Sequence, residues 1–217
     1  MIITTQKSPE AILKSLQGYQ KIFLVGCGEC AATAKTGGEP ELAAMKQQLQ
    51  AAGKTVTGAC MPSAPCLASQ IKTELAKNMQ ALRQSEAILV LACGLGVQSV
   101  KDNDRLGLVV LPACDTICAA VMDAKGDFYE KCSLCGECVL EITAGICPIT
   151  LCSKGLLNGP CGGMDKGKCE VDKDKDCAWV LIYKELEKKG KLATLKEIQG
   201  AKDFKKSTKP HKLIMVK

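Results

Sequence analysis

Residues 21–26 read KIFLVG, an apolar run unbroken between Lys21 and a closing glycine. A run of this length without alternation marks a strand buried on both faces, because a strand with one wet face shows a polar residue at every second position. Outward from it, residues 39–52 carry Leu42, Met45 and Leu49 on one helical face, with Gly53 as the stop. Residues 55–59 read as a second strand, and residues 69–83 as a second helix with Ile71, Leu75, Met79 and Leu82 at helical spacing. Residues 87–92 (AILVLA) form the clearest strand, and 108–111 a fourth that Pro112 ends. Strands alternating with helices imply a parallel sheet with helices on both faces. The expected fold class is α/β, with a small doubly wound parallel sheet domain over about residues 1–125. An irregular Cys-rich metal-cluster segment and C-terminal helices follow over about 126–200, then a basic tail over 201–217. Residues 178–189 (AWVLIYKELEKK) read as a helix that Gly190 ends.

Ligands of open parallel sheets bind just past the carboxyl ends of the strands. Cysteines occupy those places: Cys27 and Cys30 after the first strand, Cys60 and Cys66 after the second, Cys93 after the third, Cys114 and Cys118 after the fourth. A metal site drawn from Cys27, Cys30, Cys60, Cys66 and Cys93 is the expectation, as a third cluster or zinc, against buried inert thiols. The same first turn, residues 26–31 (GCGECA), fits the dinucleotide pattern G-x-G-x-x-A. The acidic residue that normally ends the next strand is missing, so the fingerprint is weak. Cys27 and Cys30 also make a C-x-x-C, a redox dithiol in other contexts; the further cysteines nearby favour coordination.

The second part carries the strongest motif. Cys132, Cys135 and Cys138 stand at C-x2-C-x2-C spacing and Cys147-Pro148 follows. Three thiolates so spaced wrap three corners of a cubane cluster, and Cys-Pro ends the bacterial ferredoxin run, although the gap before Cys147 is longer here. Cys152, Cys161, Cys169 and Cys177 come next, with Gly155, Gly159, Gly162, Gly163 and Gly167 between them. Glycines allow backbone N–H groups to approach cluster sulfur closely. The simplest assignment is two [4Fe-4S] clusters, one for each set of four. A swapped pairing through Cys147 stays open, as does all-thiolate zinc. Such a segment builds no core of its own, so bound metal must supply much of its folding energy.

Composition narrows the function. Aromatic residues make up only 3% of the chain, too few for a base-stacking platform, and no nucleic-acid partner is expected. Of the formal net charge of +6, most belongs to the tail, where Lys202, Lys205, Lys206, Lys209, Lys212 and Lys217 face a single Asp203. That tail reads as a solvated terminus or, through its apolar end at Leu213, Ile214, Met215 and Val216, as an arm for a partner. Neither a signal peptide nor a membrane span is visible, so a cytoplasmic protein is expected. There, 15 cysteines argue for metal over disulfides, and a single histidine, His211, leaves thiolate as the ligand.

The stretches CSKGLLNGPCGG (152–163), GKCEV (167–171) and CAWVLIY (177–183) resemble the C-terminal cysteine-rich domain of methylenetetrahydrofolate reductases. In some anaerobic bacteria that domain belongs to a separate small subunit of a hetero-oligomer. The resemblance covers about residues 131–192 and implies ligand roles at Cys132, Cys135, Cys138, Cys147, Cys152, Cys161, Cys169 and Cys177. It also implies a partner subunit with a TIM barrel and a flavin, which reduces methylenetetrahydrofolate to methyltetrahydrofolate. Nothing in this chain reads as eight βα units, so flavin and folate belong to that partner. The resulting expectation is an electron-transfer subunit of an oxidoreductase, fed by a ferredoxin-type or other redox donor and without turnover of its own. A zinc-stabilised scaffold subunit and an enzyme acting through a sheet-edge thiol are the alternatives.

Overall fold

The computed structural model describes residues 1–211 and divides into two compact units, Met1–Cys118 and Ala119–Lys217. In the first, β1 (Ile2–Gln6) and α1 (Pro9–Ser15) precede β2 (Lys21–Val25), α2 (Cys30–Thr33), α3 (Glu39–Ala51) and β3 (Thr55–Cys60). Then come α4 (Ala68–Lys77), α5 (Met79–Arg83), β4 (Ala87–Val90), α6 (Gly94–Asn103) and β5 (Val109–Pro112). β2 to β5 form one parallel sheet in the order β3-β2-β4-β5, with Val25 opposite both Cys60 and Val90. The order reverses direction between β2 and β4. At such a switch point the loops leaving two neighbouring strands diverge and open a crevice at their carboxyl ends.

Alternate residues of the central strands enter two separate cores. Ile22, Leu24, Ala87 and Leu89 pack with Ile12, Leu16, Leu42, Met45 and Leu49 of the α1 and α3 side. Phe23, Val25, Ile88 and Val90 pack with Ile71, Leu75, Leu82 and Val100 of α4, α5 and α6. Burial on both faces is why these strands read as continuous apolar runs. Gly53 ends α3 as expected, in a left-handed conformation at φ 78°. The single helix expected over 69–83 is two. Asn78 donates backbone and side-chain N–H groups to the Glu74 carbonyl and lies outside helical geometry, so α4 stops there although the apolar spacing continues.

β6 (Cys114–Met122) runs across the boundary, and in the second unit it pairs antiparallel with β7 (Phe128–Cys132). The turn between them is closed by Asp123, whose carboxylate accepts the Lys125 and Asp127 amides. After a long loop come α7 (Pro148–Leu151), a second loop and α8 (Ala178–Lys188). Short 3-10 turns follow at Leu192–Lys196 and Phe204–Ser207. The unit's core is small: Cys177, Trp179, Ile182 and Leu186 are buried, with Ala144, Ile146, Cys152, Val180 and Leu192 against them. No helix among the described residues is long and apolar enough to cross a membrane.

The start of the basic tail is not a solvated appendage. Lys202 is 8% exposed and donates to the Glu137 carbonyl, while the Lys206 ammonium meets the Glu137 carboxylate at 2.6 Å. Two of the lysines behind the net charge are therefore spent on the chain's own cysteine loop. The apolar end at 213–216 lies outside the described residues.

Candidate metal centres

Among the described residues, no group of three or more His, Cys, Asp or Glu side chains is set to hold a metal ion as placed. The backbone nevertheless gathers the thiols into neighbourhoods. One is in the second unit, where Cys152, Cys161, Cys169 and Cys177 all line one small cavity with Lys154, Met164, Glu170 and Trp179. The folding that achieves this is local. Cys152 caps α7 and closes a turn with Gly155. The Cys169 amide donates to Lys175, and the Cys177 amide to Gly167, so the loop doubles back on itself before α8 begins at Ala178. Lys154 is paired with Glu170, and Cys169 Sγ lies 3.6 Å from Ser153 Oγ, which ties the Cys152 turn to the segment around Cys169.

The electrostatics around Cys169 suit a thiolate. The Ser153 hydroxyl, followed by the Val171 and Asp172 amides, holds the Cys169 thiol below its usual pKa. The Lys154 ammonium is held charged above its usual value, first by its hydrogen bond to Glu170. Several of the intervening glycines have local reasons. A Cβ on Gly159 would sit 2.3 Å from the Trp179 ring, and one on Gly163 would run into Glu170. Close side-chain packing, rather than approach to a sulfur, is what the structure shows at these two positions.

Cys132, Cys135, Cys138 and Cys147 are more open. The Leu134 amide donates to Cys132 Sγ at 3.4 Å, and Cys135 Sγ donates to the Glu137 carbonyl at 3.6 Å. Burial alone raises the Cys135 thiol, but the Glu137 backbone contact and the Lys202 ammonium outweigh it and leave the pKa lowered. The C-terminal segment clamps this loop: the Asp203 amide donates to Glu137 Oε2 at 2.8 Å, and a Cβ on Gly136 would meet the Lys206 carbonyl at 2.2 Å. Cys147 Sγ contacts Thr150 Oγ1 at 3.6 Å at the start of α7. Sequence reading missed Lys154, Glu170 and Lys202, since charge pairs and clamps distant in sequence leave no periodic signal.

In the first unit, the segments that follow β2, β3 and β4 bring Cys27, Cys30, Cys66 and Cys93 to one edge of the sheet, while Cys60 ends β3 itself and lines a cavity with Glu39, Leu42, Ala43 and Lys46. The thiol of Cys66 is raised first by partial burial, then by Cys93, Cys27 and Cys30. Cys60, the last residue of β3, is buried and its thiol is pushed up to about 12 by that burial and by the Glu74 carboxylate. Cys114 is likewise buried and pushed up to about 12, first by burial and then by Asp115, while its Sγ donates to the Thr36 carbonyl at 3.5 Å. Cys118 is half-buried on β6. The residues matching G-x-G-x-x-A are packed rather than open: the Cys27 amide donates to Gly37 and the Gly28 amide to Pro62. Those amides are thus unavailable to a pyrophosphate.

A stability prediction follows for Cys60 and Cys114. Both bind their proton more tightly folded than unfolded, because the usual value is 9.0 and the folded value about 12. Their contribution is full below pH 9 and is lost as pH rises towards 12. Mass mapping after iodoacetamide at pH 8 is expected to find both unlabelled in native protein; labelling at the rate of a free thiol contradicts the burial argument.

Comparison with known proteins adds one finding. Residues 111–205 match the family model described as "Methylene-tetrahydrofolate reductase C terminal". The match covers under half of the chain and relates that segment to such reductases. No curated protein and no solved structure matches.

Proposed function

We propose that the chain is the electron-transfer iron–sulfur subunit of a methylenetetrahydrofolate reductase complex. The observation that carries the reading is the convergence of Cys152, Cys161, Cys169 and Cys177 on one cavity within the segment related to the reductase C terminus. The donor set fits: it is all thiolate, with hydroxyl and ammonium groups of Ser153 and Lys154 beside it. Bound there and at Cys132, Cys135, Cys138 and Cys147, two [4Fe-4S] clusters would supply one-electron relay between a ferredoxin-type or other redox donor and the flavin of a TIM-barrel partner. This chain's residues hold and orient. Lys154 and Glu170 pin the cavity mouth, Lys202 and Lys206 pin the C-x2-C-x2-C loop, and α8 closes the floor with Trp179. Folate reduction belongs to the partner, and the isolated chain does not turn over.

A zinc-stabilised scaffold is the second reading, favoured by the small core of this unit, which needs bound metal whether or not electrons move. Iron, zinc and acid-labile sulfide content of protein purified without oxygen separates the two. The relay expects about eight irons with matching sulfide from these eight cysteines. It also expects Cys161→Ser to reduce electron flow through the reconstituted complex to near background. Zinc without sulfide, or undiminished flow through the variant, ends the relay reading.

A further inference from the structure

The carboxyl edge of the parallel sheet, at its switch point, carries thiols that the match to the reductase C terminus does not reach, since that match begins at residue 111. β2 and β4 are neighbours, and Cys27, Cys30 and Cys93 leave them at the edge where ligands of such sheets bind. Cys93 caps the start of α6, and Cys30 opens α2. Cys66 reaches the same edge because its loop is tied down from two sides. On one side, the Gly28 amide donates to the Pro62 carbonyl at 3.0 Å, Cys27 Sγ contacts the Ser63 carbonyl at 3.8 Å, and the Ser63 hydroxyl donates to Glu29 at 2.9 Å. On the other, Pro65 packs on the first turn of α6, where a Cβ on Gly96 would lie 3.1 Å from its ring. The loop thus spans the β2–α2 turn and the start of α6, with Cys66 held between them.

We infer that Cys27, Cys30, Cys66 and Cys93 form a third, all-thiolate metal centre, holding either a four-iron cluster or a zinc ion, and that Cys60 is not among its ligands. The inference stands apart from the relay, because its residues lie in the other unit. Four thiolates from three strand-end loops are the donor set that both thiophilic centres require. Cys60 is set apart by its surroundings: it ends β3 itself and lines a cavity with Glu39, Leu42, Ala43, Lys46 and Met61, where no other thiol takes part. A centre here would cross-link α2, the Cys66 loop and α6 where the backbone itself provides only short contacts.

The test uses the full chain purified without oxygen. Cys66→Ser combined with Cys93→Ser is expected to lose one centre's worth of metal, about four irons with matching sulfide or one zinc. Cys60→Ser is expected to keep all of it. The kind of metal lost tells cluster from zinc, and either supports the site. A position-resolved measurement on the unaltered protein avoids any folding defect of the variants: iodoacetamide labelling read by mass mapping before and after chelation. Cys66, though exposed, is expected to be protected before chelation and labelled after it, along with Cys30 and Cys93, while Cys118 responds equally in both. Unchanged metal in the double variant, a loss in Cys60→Ser as large as in the double variant, or equal labelling of Cys66 before and after chelation overturns the inference. Because labelling is read at Cys30, Cys66 and Cys93 separately, its outcome does not depend on whether residues 132–177 carry clusters.

Discussion

Stripping metal from the anaerobically prepared chain is expected to unfold the second unit while the parallel sheet of the first stays intact. The unit holds two long irregular loops, and fixing each of their residues costs about 1–2 kcal/mol of backbone entropy. Against that stand four buried core residues and a strand, β7, exposed along its whole length. Hydrophobic burial returns only about 25 cal/mol per Å², so apolar contacts on this scale do not order the loops. Structural zinc in small domains supplies roughly 10–16 kcal/mol of folding free energy, a contribution that so few apolar contacts do not replace. The chain provides its own reporter: it has 1 tryptophan, Trp179, which is 6% exposed and donates through Nε1 to the Leu156 carbonyl at 3.1 Å. On chelation its emission is expected to shift to the red and residues 133–176 to become open to protease, while far-ultraviolet dichroism keeps the helices of the first unit. An unshifted Trp179 emission after complete metal loss would mean that packing alone holds the unit.

Gly37→Ala should be the most damaging single substitution in the first unit. A Cβ at Gly37 would lie 1.9 Å from the Leu91 carbonyl oxygen and 2.8 Å from its carbon. Leu91 is fully buried, and its amide donates to the Val25 carbonyl at 2.7 Å, so it is fastened to the sheet and cannot yield as a side chain would. Gly37 also accepts the Cys27 amide, so any retreat of its loop breaks the turn that leads to Cys30. A loss of about 4 kcal/mol or more is expected, with a fall in melting temperature of at least about 10 °C. Gly53→Ala is the control. Nothing lies within 4 Å of its added Cβ, and only the left-handed backbone at φ 78° opposes it, at about 1–2 kcal/mol. Equal melting of Gly37→Ala and the parent protein would refute the close approach.

What was legible in the sequence follows from burial. β2 and β4 are enclosed on both faces and announce themselves as KIFLV and AILV; α3 and α4 each bury one stripe and show helical spacing. β7 (FYEKC) is exposed at every position, so no inside–outside pattern was written into it and it was not expected. α6 opens with GLG and buries only Gly96 and Val100, which gave neither helix propensity nor a stripe to read. The break at Asn78 was hidden because the hydrophobic face continues through it, and the competing hydrogen bond comes from a side chain.

For the candidate sites, the sequence by itself determined which donors are at hand: 15 cysteines against one histidine favour thiolate over imidazole for any metal, whatever the fold. It also determined the sheet edge as a gathering place, since strand ends can be read from apolar runs. Only the tertiary structure decided which thiols meet. Cys60 and Cys66 both follow β3 and look equivalent in the sequence. Cys60 is still in the strand and lines a cavity with Glu39, Leu42, Ala43 and Lys46, whereas Cys66 sits on a loop drawn back to Cys27 by Pro62 and Ser63. Cys152 and Cys169 are likewise brought together through Lys154, Glu170 and Ser153. The physical reason is the same in both places. Residue types fix what bonds are available, but the direction of a side chain depends on contacts between residues far apart in the chain, and no local pattern records them.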